Sequence, residues 1–148
     1  MRNKNTNKSS GFTIIEVLIV LAIAGLIMLI VFLAVPALQR NSRNTQRKNE
    51  VSQLLGAVNE WTNNNSGTLP ATSAEQAAAL ANASLSFYKS NVTWAAGAQT
   101  NATTKDKAVI VTGASCSGSD AAAGSARSVV VLYTVEAGAG DQKLCQSS

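Results

Sequence analysis

Between Phe12 and Val35 the only polar side chains are Thr13 and Glu16. Wound as an α-helix, that run is about 36 Å long at ~1.5 Å per residue. It is long enough to cross a hydrocarbon core of ~30 Å. A chain of 148 residues has room for one domain, and such a domain cannot bury a helix that is apolar on every side. The run therefore belongs in a membrane or in a larger assembly. Three readings compete. An ordinary secretory signal fits the basic residues ahead of the run, and Ala22-Ile23-Ala24 resembles a small-residue cleavage site. The apolar run continues well past that site, however, and carries a carboxylate inside it. A plain signal anchor explains the length but not Glu16, because an acidic residue deep in a bilayer costs about 2.5–3.5 kcal/mol. The third reading is a helix whose final surroundings are protein, where the carboxylate meets a cation.

Charge narrows the field of partners. The chain has 12 Lys and Arg against 8 Asp and Glu, and a pI near 9.3. Arg2, Lys4 and Lys8 all precede Phe12, so without them nine basic residues face eight acidic ones. Beyond Trp61 the two signs balance. The remaining excess is the cluster Arg40, Arg43, Arg47 and Lys48, just after the apolar run. It reads as lipid-headgroup contact, as intersubunit salt bridges or as solvated surface, with solvation and some intersubunit pairing favoured. A phosphate-tracking stripe is not evident, and nucleic acid is only weakly supported as a partner.

The N-terminal residues also match a known pattern. A short basic leader, MRNKNTNKSSG, ends in Gly11; Phe12 follows, with Glu16 four residues on and the long apolar helix behind it. This closely resembles the class III signal of type IV pilins and pseudopilins. The resemblance implies that a membrane-embedded prepilin peptidase cuts between Gly11 and Phe12 and then N-methylates Phe12. It makes Glu16 the fifth residue of the mature chain. There it sits about one helical turn from Phe12, within reach of the α-amine of its own or a neighbouring subunit. In a low-dielectric filament core either charge alone is costly, so Glu16 is expected to set registry and recruitment. The resemblance also implies loosened backbone between Gly25 and Pro36 in an assembled filament. The alternative there is a simple kink at Pro36.

After Pro36 the pattern turns amphipathic. Val51, Leu54, Leu55, Val58 and Trp61 recur at three- and four-residue steps, so one helix is expected from about Phe12 to Trp61. Asn63 to Pro70 is a breaker run, and its Gly67-x-x-Pro70 ending is similar to the loop entry of many pilins. Thr72-Ser73-Ala74-Glu75 offers a capping box for a short helix reaching Ala81. Val92–Trp94 is a weak strand candidate. Ala108–Thr112 and Ser128–Val135 are strong ones, and Lys143–Cys145 is a short last one. Gly113 to Ala126 reads as a Gly/Ser/Ala loop.

The fold class is α+β: a long N-terminal helix, transmembrane in its first half, packed on a small antiparallel sheet. The expected organisation is a cleaved leader at 1–11, a transmembrane and polymerisation helix at 12–36, and a periplasmic or extracellular head at 37–148. Two cysteines, Cys116 and Cys145, suit a disulfide in an exported chain; two buried free thiols are the other reading. A bridge would resemble the C-terminal disulfide loop of many type IV pilins.

Catalytic chemistry finds no foothold. There is no histidine, no zinc set, no nucleotide or hydrolase motif, and no close carboxylate pair. No cofactor or metal is expected, and the chain is read as a non-enzyme. Asn64-Asn65-Ser66, Asn91-Val92-Thr93 and Asn101-Ala102-Thr103 are glycosylation triplets of the kind that arise by chance in so polar a chain. The resemblance points to a type IV pilus subunit, held in the membrane before assembly and on the cell surface after it, serving adhesion, motility or DNA uptake. Its implied partners are copies of itself, the prepilin peptidase, an assembly ATPase and a platform protein. A pseudopilin of a type II secretion or competence system is the alternative, and a membrane-anchored binding domain is another.

Overall fold

The computed structural model describes residues 11–148. It contains helices α1 (Ile14–Asn64) and α2 (Ser73–Ala79). Its strands are β1 (Val92–Ala96), β2 (Ala108–Thr112), β3 (Ala114–Ser117), β4 (Asp120–Ala123), β5 (Val129–Ala137) and β6 (Gly140–Ser147). The chain divides into two compact units, one ending at Gln39 and the other spanning Arg40–Ser148.

In the first unit the apolar part of α1 is exposed. Nineteen large hydrophobic side chains from Phe12 to Leu38 are open to solvent. This helix is long and apolar enough to cross a membrane. It is helical through both Gly25 and Pro36 in the single chain.

In the second unit one stripe of α1 is buried. Val51, Leu54, Leu55 and Val58 fall on it, as the three- and four-residue steps predict. Trp61 is only half-buried. The stripe also continues backwards through Glu50 and Arg47, both buried. Truncating Leu54, which is fully buried, to Ala would cost about 2–5 kcal/mol.

The stripe packs on a four-stranded sheet of order β1-β2-β5-β6. The pairs β2–β5 and β5–β6 are antiparallel, with Val109 opposite Leu132 and Leu132 opposite Cys145. The first pair, β1–β2, is parallel, with Val92 opposite Ala108. The sheet is therefore mixed, although the α+β class is as expected. A parallel pair needs a crossover, here residues 97–107, which hold no helix or strand.

Side chains alternate between two cores. Ile110, Val129, Val131, Tyr133 and Val135 pack with Val51, Leu54, Leu55 and Val58 of α1. Val111, Val130 and Leu132 pack with Ala114 and Ala121 in a second core. Both faces of β5 are thus covered, which is why Val129–Tyr133 reads as a continuous apolar run rather than an alternating one.

Ala114 and Ala121 belong to a two-stranded hairpin, β3–β4, where the sequence reading placed a loop. Its Ala, Ser and Gly residues carry little strand propensity, so tertiary contacts decide the structure. Gly118 turns the hairpin at φ +63°. Just past β4, Gly124 approaches the backbone so closely that a Cβ there would lie 2.6 Å from the Ala114 carbonyl carbon and from Ser128 Oγ. The low bulk of this stretch is what lets the hairpin lie against the sheet.

Candidate functional site

At the N-terminal segment, Gly11, Phe12 and Thr13 precede the first helical residue, Ile14. Phe12 is 89% exposed, and among the described residues no atom beyond its chain neighbours lies within 4 Å of where a Gly11 Cβ would be. The peptide bond between them is thus non-helical and open. The leader cations Arg2, Lys4 and Lys8 lie outside the described residues.

Glu16 has a partner within its own chain. Its Oε2 accepts from the Thr13 backbone N–H at 2.8 Å and from Thr13 Oγ1 at 2.8 Å. The Glu16 N–H donates back to Thr13 Oγ1 at 3.4 Å. This is a capping box, and it satisfies donors that open the helix. The Thr-x-x-Glu spacing is readable in the sequence, and it gives Glu16 a partner even in a lone helix, before any cation is met. In the uncut chain the Phe12 nitrogen is a neutral amide. An ammonium for Glu16 to pair with exists only after cleavage.

Among the described residues Gly25 has no neighbour within 4 Å of a notional Cβ, so none of them demands a glycine there. Pro36 lies inside the continuous helix.

The basic cluster is not a free patch. Arg43 grips Glu136 with two bonds, Nε to Oε1 at 3.0 Å and Nη2 to Oε2 at 2.6 Å. Arg47 adds Nη1 to Oε1 at 2.9 Å. Its Nε donates to the Lys105 carbonyl at 3.0 Å, and its guanidinium stands 4.8 Å from the centre of the Phe87 ring. Asn44 completes the contact. It donates to the Glu136 carbonyl at 2.6 Å and accepts from the Glu136 N–H at 2.8 Å. The expectation of solvation with intersubunit pairing is corrected for Arg43 and Arg47: their charge is used within the head. The Arg43 guanidinium, helped by Arg47, lowers the Glu136 carboxyl to about 2.

One turn further along α1, buried Glu50 accepts from the backbone N–H groups of Ser86, Phe87 and Tyr88 at 2.7–3.1 Å. It holds a segment that has no regular structure. Arg43, Arg47 and Glu50 lie at steps of four and three on the stripe that continues through Val51 and Leu54. Extending that period backwards puts Arg43 and Arg47, legible in sequence only as members of a basic cluster, and Glu50 on the packed stripe.

The cysteines form a disulfide, with Cα atoms 5.7 Å apart and a sequence separation of 29. Cys116 lies in β3 and Cys145 in β6, so the bond ties the hairpin to the edge of the sheet. Closing such a loop stabilises by roughly 3–4 kcal/mol in the chain-entropy view.

Asn101, which begins one glycosylation triplet, is buried and fully engaged. It donates to the carbonyls of Ser119 and Leu144 at 3.0 Å and accepts from Thr103. Asn91 of another triplet is exposed. A depression of about 480 Å³ lies between α2 and β1 and is lined by one charged side chain, Lys89. Among the described residues no three His, Cys, Asp or Glu side chains converge as metal ligands would.

Comparison with known proteins bears on the N-terminus. Residues 6–32 match the family described as the prokaryotic N-terminal methylation motif. No curated protein and no solved structure matches the chain. The match spans the exposed Gly11–Phe12 bond, the Thr13–Glu16 box and most of the apolar helix. It is the same segment whose leader, Gly11-Phe12 pair and Glu16 resemble the class III signal of type IV pilins and pseudopilins.

Proposed function

We propose that this chain is a structural subunit of a type IV pilus, cut by prepilin peptidase between Gly11 and Phe12, methylated at Phe12, and polymerised through its N-terminal helix. The observation that carries this reading is the methylation motif lying over a non-helical, exposed Gly11–Phe12 bond and a solvent-exposed apolar helix. Residues 1–11 are then the leader, 12–36 the membrane and polymerisation segment, and 37–148 the head outside the membrane. The subunit waits as a single-pass membrane protein and moves to the cell surface on assembly by an ATPase and a platform protein.

In that reading Glu16 has two successive partners. Before cleavage Thr13 holds its carboxylate; after cleavage the α-amine of Phe12, on a neighbouring copy, competes for it. Both options keep the charge satisfied where water is scarce. Surface filaments carrying such heads serve adhesion, motility or DNA uptake.

Mass spectrometry of the mature N-terminus tests the processing. A chain that begins at Phe12 with one added methyl group is expected. One that begins at Gly25, or retains Met1, overturns the reading. Electron microscopy of sheared surface material separates pilus from pseudopilus: abundant long filaments containing this chain are expected of a pilus subunit. Glu16→Ala should abolish or sharply reduce them, and undiminished filaments would remove Glu16 from assembly.

A further inference from the structure

Glu136 is bound by five hydrogen bonds from a single stretch of α1. Three reach its carboxylate from Arg43 and Arg47, and two join its backbone to the Asn44 amide. The backbone pair explains itself from the sheet. Strand β2 pairs with β5 only as far as Leu132, and β5 runs on to Ala137. At Glu136 the β2-facing edge has no strand beside it, and the Asn44 side chain supplies the donor and acceptor that a strand would have. Arg40 also approaches this turn, with Nη1 3.6 Å from where a Gly138 Cβ would sit.

The position of these contacts matters more than their number. The second compact unit begins at Arg40. The first residues of α1 within it that touch the sheet are therefore the polar ones, Arg43, Asn44 and Arg47. The apolar stripe begins only at Val51. Any separation of α1 from the sheet that starts from the membrane-side segment must break the Glu136 contacts before it reaches the apolar core.

We infer that Arg43, Asn44, Arg47 and Glu136 form a latch that governs local opening of the head at its junction with the N-terminal segment. Apolar contacts lose strength gradually with area, whereas charge-assisted forked bonds hold a defined geometry and release over a short distance. A latch at the junction stops fraying there from spreading along α1. Removing it opens the first turns of α1 and the β5–β6 turn as a unit, with the two apolar cores still closed. The latch is a property of the single chain. Its use in a filament, where pull on the stem reaches the head at Arg40, rests on the reading proposed above.

Hydrogen-exchange mass spectrometry of the full chain in detergent micelles tests it. In Glu136→Gln, exchange across residues 40–47 and 133–138 is expected to rise about tenfold or more, as loss of a charge-assisted pair permits. Residues 51–58 and 108–112 should stay near their wild-type rates. Arg43→Ala, which leaves the Arg47 and Asn44 bonds in place, should give a smaller rise in the same segments. It carries the test if Glu136→Gln does not fold. Unchanged exchange at residues 40–47, or an equal rise in every segment, overturns the latch. A mature N-terminus other than Phe12 would instead remove the filament and leave the latch standing.

Discussion

Tyr88 and Asn101 are both taken fully or almost fully out of water, and they fare differently. The Asn101 side chain bridges Ser119, Leu144 and Thr103, and its backbone N–H reaches Asp120 Oδ1 at 2.7 Å. Thr103 extends the network to Thr134, hydroxyl to hydroxyl, at 2.8 Å. One amide thus joins the crossover, the hairpin turn and β6. The Tyr88 hydroxyl has no hydrogen-bond partner among the described residues, and burial pushes its pKa up. An unmet buried polar group costs about 1–3 kcal/mol. Tyr88→Phe is therefore expected to leave stability unchanged or raise it by about 1 kcal/mol. Asn101→Ala should lower it by about 2–3 kcal/mol, because several buried carbonyls and an N–H lose their partner together. Urea denaturation of the full chain in micelles measures both. A larger loss for Tyr88→Phe than for Asn101→Ala would refute the comparison.

At the scale of elements, local chemistry was legible and tertiary chemistry was not. Thr72 and Glu75 announce α2, and the structure holds both halves of their capping box. The β-branched runs announce β2 and β5 within a residue or two. The hairpin β3–β4 gave no such signal, since its residues pair because Gly124 and the small side chains allow close approach. The parallel sense of β1 was equally hidden, because direction depends on the path of the crossover. In the candidate site, Gly11, Phe12, Glu16 and the basic cluster with Arg47 stood out, while the burial of Arg47 and its partner Glu136 did not. Charged residues are assumed to face water, and only their place on the buried stripe argues otherwise. That pairing has a consequence in acid. The Glu136 carboxyl is lowered from 4.5 to about 2 by Arg43 and then Arg47. A lowered carboxyl stabilises the fold fully above its unfolded value and progressively less as pH falls. The contribution is thus complete above pH 4.5 and fades as the pH approaches about 2. Wild type should exceed Glu136→Gln in melting temperature above that window and converge with it at the acid end. A gap that persists below the window would place the loss elsewhere than in the carboxylate charge.

The whole chain joins a head with two apolar cores to an N-terminal helix that has none. The head satisfies its buried charges, Arg47 and Glu50, and its buried Asn101 from within. The N-terminal segment leaves nineteen large apolar side chains uncovered, a surface that, on the function proposed above, meets lipid first and other copies later. The same contrast governs its backbone. Pro36 lacks an N–H, so the helix forgoes one bond, and Gly25 weakens it by about 1 kcal/mol relative to Ala. In a bilayer no water replaces a lost backbone bond, so there the helix is expected to persist through both residues despite these weak points. Packed among neighbouring subunits, freed carbonyls and N–H groups gain other partners, and the penalty for opening falls. The segment between Gly25 and Pro36 is therefore expected to be helical in micelles and to lose helical hydrogen bonds on assembly. Backbone NMR of the micellar chain and a density map of the filament measure the two states. A helix unbroken in both would show that the glycine and proline serve only to bend it, and an opening already present in micelles would show that neighbours are not its cause.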